Sequence, residues 1–330
     1  MKKSYYIYTA GRLERSDNTI HFIPCTGEGR YLPVETVQNL YLMNEIDINS
    51  KCLNFLGQYG IAVHLFNYYD FYTGSFYPRE QQVSGMVLVN QVSHYTDALK
   101  RLTLAKAFIR GSLENMYRNL RYYNGRGKDV VPMMNTIMAM EKPLGRAKTI
   151  QEAMGCEGTA RKAYYSAWPI IIDQEIDFTK RVKRPPDNMV NSLISFVNML
   201  IYTRVLSEIY LTTLNPTISY LHEPGERRFS LSLDISEIFK PLLGDRLIFS
   251  LLNKRQITEK SFTEDLEQLH LKPEASRLIV NELDKRMMKT IKHKELGKNV
   301  SYQYLMRLEC YKLVKHILGE KEYIPFVIWW

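Results

Sequence analysis

The segment YLHEPGERRFSLSLDISEIFKP, residues 220–241, contains residue types that can hold a divalent metal ion. It has one histidine, His222, and two acidic residues three positions apart, Asp234 and Glu237. In a helix, residues at this spacing lie on one face, so both carboxylates could point into one pocket. An imidazole with carboxylate oxygens suits Mn²⁺ or Mg²⁺, whereas zinc sites usually have more nitrogen or sulfur ligands. Such an ion beside basic side chains would suit phosphodiester chemistry.

The same segment also has a purely structural interpretation. The run RFSLSLD alternates apolar and polar residues and predicts a half-buried strand. Asp234 and Glu237 fit an Asp-x-x-Glu capping box, which would stabilise the following helix by about 1 kcal/mol. His222, ahead of a Pro-Gly turn, would then only hydrogen-bond that turn. Because capping boxes are common, the pattern alone favours this interpretation over a metal site.

A metal site would need another carboxylate besides Asp234 and Glu237. The run GCEGTARKAYY offers one, Glu157. If this run is helical, Glu157, Arg161 and Tyr164 follow i, i+4, i+7 spacing and share a face. Glu157 would then supply an additional metal ligand. The alternative is a surface ion pair between Glu157 and Arg161, worth about 0.3 kcal/mol, and taken alone it is the more common arrangement.

The charge of the chain favours a polyanionic partner. The 44 Lys+Arg exceed the 35 Asp+Glu, which gives a net charge of +9. Residues 97–129 carry eight Lys/Arg against three acids, and residues 285–321 carry ten against three, with Tyr302, Tyr304 and Tyr311 interleaved. Each region alone could be a solvated helix face. Two of them beside a candidate metal site favour contact with DNA or RNA.

Other chemistries are disfavoured by the sequence. The serines lack a Gly-x-Ser-x-Gly setting, and GRGKD lacks the spacing of a Walker-type loop. The four cysteines, at positions 25, 52, 156 and 310, include no close pair. This argues against a zinc ribbon and a disulfide framework, and it fits a reducing compartment.

The sequence predicts a cytoplasmic protein with no membrane partner. The opening MKKSYYIYTAGR has an apolar run that is too short and too polar for a signal peptide. The long apolar region NSLISFVNMLIYTRVLSEIYLTTL is interrupted by Asn198, Arg204 and Glu208. We therefore expect a buried core helix there, not a membrane span.

The elements that must position these residues divide the chain in two. Residues 1–82 contain strand-like runs such as SYYIYTAGRLERSDNTIHFIP and GIAVHLFN, with one short helix capped by Ser50. Residues 83–330 contain long helical patterns, including DALKRLTLAKAFIRGSLENMYRNLRYY and a core helix at about 188–214. We predict an α+β protein in which a small N-terminal β-rich domain (1–82) precedes a larger all-α C-terminal domain (83–330).

The helix expected to carry Glu157 has a sequence signal for its start. Thr149 and Glu152 stand in capping-box register just before the apolar pattern begins. We therefore expect this helix to begin at about residue 150.

Several of these motifs, taken in order, resemble the CRISPR-associated spacer-acquisition integrase family. EGTARKAYY, RPPDNMVNSLISFVNML, SYLHEPGE and LSLDISEIFKP match the family's glutamate motif, its Arg-Pro-Pro and following helix, its Leu-His-Glu loop and its Leu-Asp-x-x-Glu motif. The similarity extends to both ends of the chain, so it covers essentially the whole sequence.

The resemblance implies a site for Mg²⁺ or Mn²⁺ held by Glu157, His222 and Glu237. Asp234 would be a further catalytic acidic residue lining the same pocket. Around these residues we expect DNA contacts from Arg161, Tyr164, Arg228 and Lys240. Lys240 stands where the family more usually has arginine, which could weaken a bidentate phosphate contact.

The resemblance also implies a function and partners. The protein would be a homodimeric, divalent-metal-dependent DNA endonuclease and integrase that acts on phosphodiester bonds and inserts short duplex DNA into a CRISPR repeat array. The N-terminal domain would serve dimerisation and DNA contact, and a small dimeric second spacer-acquisition protein would be the partner. The alternatives are a stand-alone metal-dependent nuclease or resolvase of branched DNA, and a non-catalytic DNA-binding scaffold.

Overall fold

The structure, a computed structural model of the 330-residue chain, divides into two compact units, Met1–Gln81 and Gln82–Trp330. It describes residues 2–67, 69, 71–78, 83–182, 186–225, 229–265, 268–293 and 295–329, with the backbone alone at 264, 265 and 268. The first unit is built mainly of strands and the second mainly of helices, which confirms the predicted α+β class.

The first unit contains two four-stranded sheets. Its elements are β1 (Lys3–Ile7), β2 (Gly11–Ser16), β3 (Thr19–Pro24), β4 (Arg30–Pro33), β5 (Val37–Leu42), β6 (Ile46–Ile48), α1 (Ser50–Gln58), β7 (Ala62–Phe66) and β8 (Tyr72–Phe76). The strand orders are β1-β5-β7-β8 and β4-β3-β2-β6. Apolar side chains from both sheets and from α1, including Leu13, Ile20, Leu40 and Phe55, form one core.

Two local signals shape this unit. The turn predicted from RSDN joins β2 to β3, and Asp17 there has a positive φ of 49°, as tight hairpin turns require. Helix α1 begins where expected, but its cap is Asn49 and not Ser50. The Asn49 side chain accepts a hydrogen bond from the Cys52 amide at 2.9 Å.

The second unit contains eleven helices and four short strands in its described part. The helices are α2 (Gly85–Thr96), α3 (Ala98–Asn124), α4 (Val131–Ala139), α5 (Glu141–Arg146), α6 (Ile150–Ser166), α7 (Trp168–Ile171), α8 (Met189–Tyr210), α9 (Ser230–Phe239), α10 (Arg246–Asn253), α11 (Pro273–Met288) and α12 (Tyr302–Ile317). The strands form two antiparallel hairpins, β9 (Phe262–Asp265) with β10 (Gln268–Leu271) and β11 (Thr290–Lys292) with β12 (Asn299–Ser301). The second unit is therefore mostly helical, as predicted, and it also contains these two short hairpins.

Helix α8 is the central element of this unit. It is long and apolar enough to cross a membrane by length and composition, but 78% of its most apolar stretch is buried inside the protein. Its interrupting polar residues have partners there: Glu208 accepts hydrogen bonds from Gln303 and Arg307 at 2.8 and 2.7 Å. These contacts fit the predicted core helix.

The run RFSLSLD does not form the predicted strand. From Ser230 the chain is helical, so Asp234 and Glu237 lie inside α9 and do not form a capping box. Ser230 and Ser232 are both buried; Ser230 donates to the Thr217 carbonyl at 2.9 Å, and Ser232 donates to the Tyr202 carbonyl at 2.7 Å. Because these hydroxyls find acceptors inside the protein, the alternation of serine and leucine does not mark a solvent-facing side.

Helix α9 continues directly into a π-helical turn, Lys240–Asp245. Pro241 lies in this turn, and its missing N–H removes an ordinary helical hydrogen bond there. Gly244 allows the turn to pack closely on α8, since an added Cβ would lie 2.8 Å from Ile201. The turn therefore sets the position of Lys240 and Asp245 relative to α9.

Candidate metal and phosphodiester site

Helix α6 positions Glu157 and Arg161, and its start agrees with the predicted capping signal. The Thr149 side chain accepts a hydrogen bond from the Glu152 amide at 3.2 Å. The Glu152 carboxylate reaches the Lys148 amide at 2.6 Å instead of the Thr149 amide, so the box is shifted by one residue. Both contacts still satisfy free N–H groups at the helix start.

Arg161 brings the carboxylates of α6 and α9 together. Its Nε donates to Glu157, one turn earlier on the same helix, and its Nη2 donates to Glu237 Oε2 at 2.6 Å. The same Nη2 lies 3.3 Å from Ser112 Oγ on α3. One guanidinium thus bridges two of the predicted metal ligands.

Glu237 has a second cationic partner. Lys240 Nζ donates to Glu237 Oε1 at 2.5 Å, and both side chains are largely buried. Burial raises the pKa of Glu237, but the charges of Lys240 and Arg161 outweigh it and hold that pKa well below its usual range. The carboxylate is therefore ionised at neutral pH.

Asp234 orients the third predicted ligand, His222. Its Oδ1 contacts His222 Nδ1 at 2.8 Å and the His222 amide at 3.0 Å. Its Oδ2 accepts from the amides of Tyr220 and Leu221 at 2.7 and 3.0 Å. Asp234 is fully buried, so it fixes the loop that carries His222 as well as the ring itself.

The charge around His222 favours its protonated form. Burial lowers the pKa of His222, whereas the Asp234 hydrogen bond and the charges of Asp234 and Glu237 raise it, and the net shift is upward. In the neutral ring, an Nδ1–H donated to Asp234 leaves Nε2 as the free acceptor. A buried carboxylate behind a histidine is the arrangement that orients metal-binding imidazoles.

Each predicted ligand has a charged partner within the chain, but in the described residues the three are not grouped around a common point. Among the residues that the structure describes, no group of three or more His, Cys, Asp and Glu side chains is placed to hold a metal ion. The reason is visible at Arg161, whose guanidinium lies between Glu157 and Glu237. The donor set itself, two carboxylates and one imidazole, fits Mn²⁺ or Mg²⁺.

The four predicted DNA contacts have different outcomes. Tyr164 is fully buried, and its hydroxyl accepts from Asn119 Nδ2 at 2.7 Å, so its predicted DNA contact was wrong. Glu157 and Tyr164 lie on the same face of α6, but neighbouring helices cover that face at Tyr164. Arg228 lies outside the described residues. Arg161 and Lys240 are bound to carboxylates, and their contacts with DNA stay predictions.

The sequence analysis did not identify Asp245, a further buried acid next to the site. Burial raises the pKa of Asp245 to about 7, although Arg161, Tyr164 and Lys240 act to lower it. The only sequence signal was a single acid in the apolar run IFKPLLGD. Its distance from Glu237 along the chain did not help, because the π-helical turn changes which side of the helix it occupies.

Comparisons with known proteins agree with the resemblance seen in the motifs. The model of the family described as CRISPR associated protein Cas1 matches residues 5–285. The chain is 60% identical to the CRISPR-associated endonuclease Cas1 of Fusobacterium nucleatum, over 100% of this chain and 98% of that one.

Two solved structures show the same fold. A CAS1 protein from Thermotoga maritima is 40% identical, covers 97% of this chain and 99% of its own, and superposes with a TM-score of 0.87. A casposase bound to integration product is 20% identical, covers 98% of this chain and 92% of its own, and has a TM-score of 0.86, which shows a shared fold alone. On the strength of the family model and the curated relative, the chain belongs to the Cas1 family of CRISPR-associated proteins.

Proposed function

We propose that this protein is a divalent-metal-dependent DNA endonuclease and integrase of CRISPR adaptation. The observation that carries the proposal is the convergence of Glu157 and Glu237 on one guanidinium, beside an imidazole held by a buried aspartate. A 60% identical relative is named an endonuclease, which supports a phosphodiester-cleaving activity.

The residues of the site would divide the work as follows. Glu157, Glu237 and the Nε2 of His222 would hold Mg²⁺ or Mn²⁺, which when bound supplies neutralisation of charge on the phosphoryl oxygens. Asp234 keeps His222 in the tautomer that leaves Nε2 free. Arg161 and Lys240 supply cations within reach of the same pocket and would grip the DNA phosphates once released from the carboxylates.

The proposed reaction is an exchange of one phosphodiester for another. The 3′-hydroxyl of an incoming duplex attacks a phosphorus atom of the repeat strand, so a new P–O bond forms. The P–O bond to the 3′-oxygen of the repeat strand breaks, and that oxygen takes up a proton while the attacking hydroxyl loses one. With water as the nucleophile, the same site would act as an endonuclease of the hydrolase class.

We propose further that the protein works in the cytoplasm as a homodimer, without a membrane. The second partner would be the small dimeric spacer-acquisition protein implied by the family resemblance. The net charge of +9 suits a duplex DNA substrate bound through its backbone, with affinity that falls steeply as salt rises.

A joining assay tests the proposal. Labelled duplex with free 3′-hydroxyls is mixed with supercoiled plasmid carrying a CRISPR repeat, with Mn²⁺ or Mg²⁺, with and without the small partner protein. Joined product that disappears with chelator is expected. Plasmid nicking without joined product under every condition would instead indicate a stand-alone nuclease.

Single substitutions separate the enzyme from a DNA-binding scaffold. Glu157→Gln, His222→Ala and Glu237→Gln should each abolish joining while binding of duplex DNA persists. The matched control is Glu152→Gln on the same helix, since it removes an exposed carboxylate and glutamine still fits the capping position. Joining at normal rates by His222→Ala would contradict the proposed role of this site.

A further inference from the structure

A second group of basic and aromatic side chains lies apart from the carboxylates. We call it the arginine–tyrosine cluster. It gathers side chains from the end of α3, the turn after it, the start of α10, the last turn of α11 and the start of α12: Tyr122, Tyr123, Arg126, Arg246, Arg286 and Tyr302.

The cluster is built around the ring of Tyr122. The guanidinium carbon of Arg126 lies 4.5 Å from the ring centroid, and that of Arg246 lies 4.6 Å from it. The ring of Tyr123 packs edge-on against Tyr122, with centroids 5.1 Å apart. The aromatic rings thus hold two cations in place without neutralising them.

Arg246 and Arg286 repel one another in this environment. Burial lowers the pKa of Arg286, and the charge of Arg246 lowers it further. Arg286 Nε is buried without a hydrogen-bond partner. The nearest carboxylate acting on it, Glu282, is already paired with Lys285 at 2.6 Å.

The cluster therefore has an excess of positive charge. In the described part of the chain, none of Arg126, Arg246 and Arg286 forms an ion pair with a carboxylate. Two like charges close together and an unused buried donor on one of them are costly in the free protein. An anion with several acceptor oxygens would remove both costs, because a guanidinium binds a phosphate through two parallel hydrogen bonds.

The tyrosines suit the same ligand. Burial raises the pKa of Tyr123 and that of Tyr302 to about 12, although the neighbouring arginines lower both. Their hydroxyls stay protonated at neutral pH and can donate to phosphate oxygens.

The position of the cluster points to DNA. Ser112 on α3 contacts Arg161 at the metal site, and Tyr122 follows ten residues later on the same helix, about 15 Å along its axis. Arg246 directly follows the π-helical turn that begins at Lys240. One DNA chain engaged at the metal site could therefore reach the cluster with phosphates a few nucleotides away.

We infer that the arginine–tyrosine cluster binds a backbone phosphate of the DNA on which the metal site acts. The inference rests on the proposed function, and it adds a contact that none of the site residues provides. It also explains why the two basic regions 97–129 and 285–321 meet in the fold, since Tyr122 and Arg126 come from the first and Arg286 and Tyr302 from the second.

The test uses the full-length protein and a labelled duplex with single-stranded 3′ ends, in chelator. Fluorescence anisotropy at several salt concentrations gives the affinity and its salt dependence for wild type and for the double variant Arg246→Gln/Arg286→Gln. The expected result is an affinity about tenfold lower and a salt slope reduced by about 1, since the loss of one phosphate contact removes ~0.9. Lys285→Gln is the matched control, because it removes one exposed charge from the neighbouring position of α11.

A stability measurement guards against misfolding. Arg286→Gln should melt at the same temperature as wild type or higher, because one of two repelling buried charges is gone. A lower melting temperature with unchanged DNA affinity would show a purely structural role and overturn the inference. Unchanged affinity and slope in the double variant would overturn it as well.

Competition identifies the class of ligand. If polyglutamate displaced the labelled DNA as well as unlabelled DNA of equal charge does, an acidic protein segment would be the better ligand and the inference would be wrong. The experiment contains no divalent metal, so its outcome is independent of whether the joining assay succeeds. If the double variant bound DNA normally and joining was intact, the inferred phosphate contact would be refuted. The proposed function would be unaffected.

Discussion

The candidate metal site and the arginine–tyrosine cluster handle charge in opposite ways. At the metal site, every predicted ligand already has a partner within the chain: Arg161 bridges Glu157 and Glu237, and Asp234 holds His222. At the cluster, Arg246 lies over the Tyr122 ring and its charge acts on Arg286, and no carboxylate in the described residues forms an ion pair with either arginine.

The difference indicates how each region meets its ligand. At the metal site, Arg161 and Lys240 already neutralise the carboxylates, so a metal ion would have to displace an internal cation to bind them. The cluster has excess positive charge, so an anion can bind without first displacing an internal partner. We therefore expect substitutions at the metal site to lower stability and activity together, whereas substitutions at the cluster should lower DNA affinity and leave stability intact or improved.

The largest effect on activity that sharpens this contrast is expected for Asp234→Asn. The carboxylate accepts four hydrogen bonds, three of them from backbone amides at 220–222. Asparagine has only one carbonyl oxygen, and because each carboxylate oxygen accepts two of these bonds, its NH₂ would point at two of the donors. Loss of a group behind a metal ligand typically costs about 10–100-fold in activity or metal affinity.

The stability of Asp234→Asn should fall as well. Hydrogen bonds to a charged acceptor contribute about 1.5–3 kcal/mol each, so we expect a loss of roughly 2–4 kcal/mol in the free energy of unfolding. Urea unfolding and the joining assay measure the two effects on the same preparation. If this variant had full joining activity and an unchanged free energy of unfolding, the metal site would not depend on its internal partners. The proposed difference between the two regions would then be wrong.

The next prediction concerns Arg161→Gln, which removes the positive charge shared by Glu157 and Glu237. The metal site then has excess negative charge, whereas the cluster has excess positive charge. Without the guanidinium, Glu157 and Glu237 lose a shared, mostly buried partner, and breaking such a pair costs about 3–5 kcal/mol. We expect the metal-free variant to melt well below wild type. Added Mn²⁺ should raise its melting temperature more than that of wild type, because the guanidinium no longer competes for the carboxylates and only Lys240 remains paired with Glu237.

Differential scanning fluorimetry with and without Mn²⁺ checks this expectation. Arg110→Gln is a matched control, since it breaks an exposed ion pair with Glu141 away from the site. A smaller Mn²⁺ shift in Arg161→Gln than in wild type would contradict the idea of competition and would mean that Arg161 helps to hold the metal.

Much of the frame of the site could be predicted from the sequence. Apolar spacing predicted the long helices, and the Thr149–Glu152 signal marked the start of the helix that carries Glu157 and Arg161. The i, i+4 spacing predicted their ion pair, which the structure contains. The identity of the ligands, however, came from the resemblance to a family and not from spacing.

The remaining features depend on contacts between distant segments. RFSLSLD was predicted as a strand because buried serines that donate to carbonyls cannot be told apart from exposed ones in a pattern. Asp234 meets amides twelve to fourteen residues away only because the loop folds back onto α9. Tyr164 shares a helix face with Glu157, but neighbouring helices cover that position.

The arginine–tyrosine cluster shows the same limit. Charge counts identified the two basic regions, but no local pattern indicates that the end of α3 and the end of α11 come together. Even the repulsion between Arg246 and Arg286 is a property of the fold alone.

The smallest expected effect, a difference in pH response, separates the two regions most cleanly. The pKa of His222 is raised above its ordinary value of 6.5, since the hydrogen bond and charge of Asp234 outweigh the lowering effect of burial. The folded protein therefore binds this proton more tightly than the unfolded chain does. The resulting stabilisation is fully present below pH 6.5 and is lost as the pH rises through the raised pKa.

Asp245 contributes in the same direction, because its pKa of about 7 also lies above its ordinary value of 3.8. The part due to His222 is read from the difference between wild type and His222→Asn in melting temperature against pH without metal, and from the NMR titration of the imidazole. Mn²⁺ affinity should rise over the same pH interval, because the ring must lose its proton to bind metal. DNA affinity in chelator should stay flat there, since the arginines and tyrosines of the cluster do not titrate near neutral pH. A DNA affinity that followed the His222 titration would show that DNA binding depends on the metal site, and the separation between the two regions would be lost.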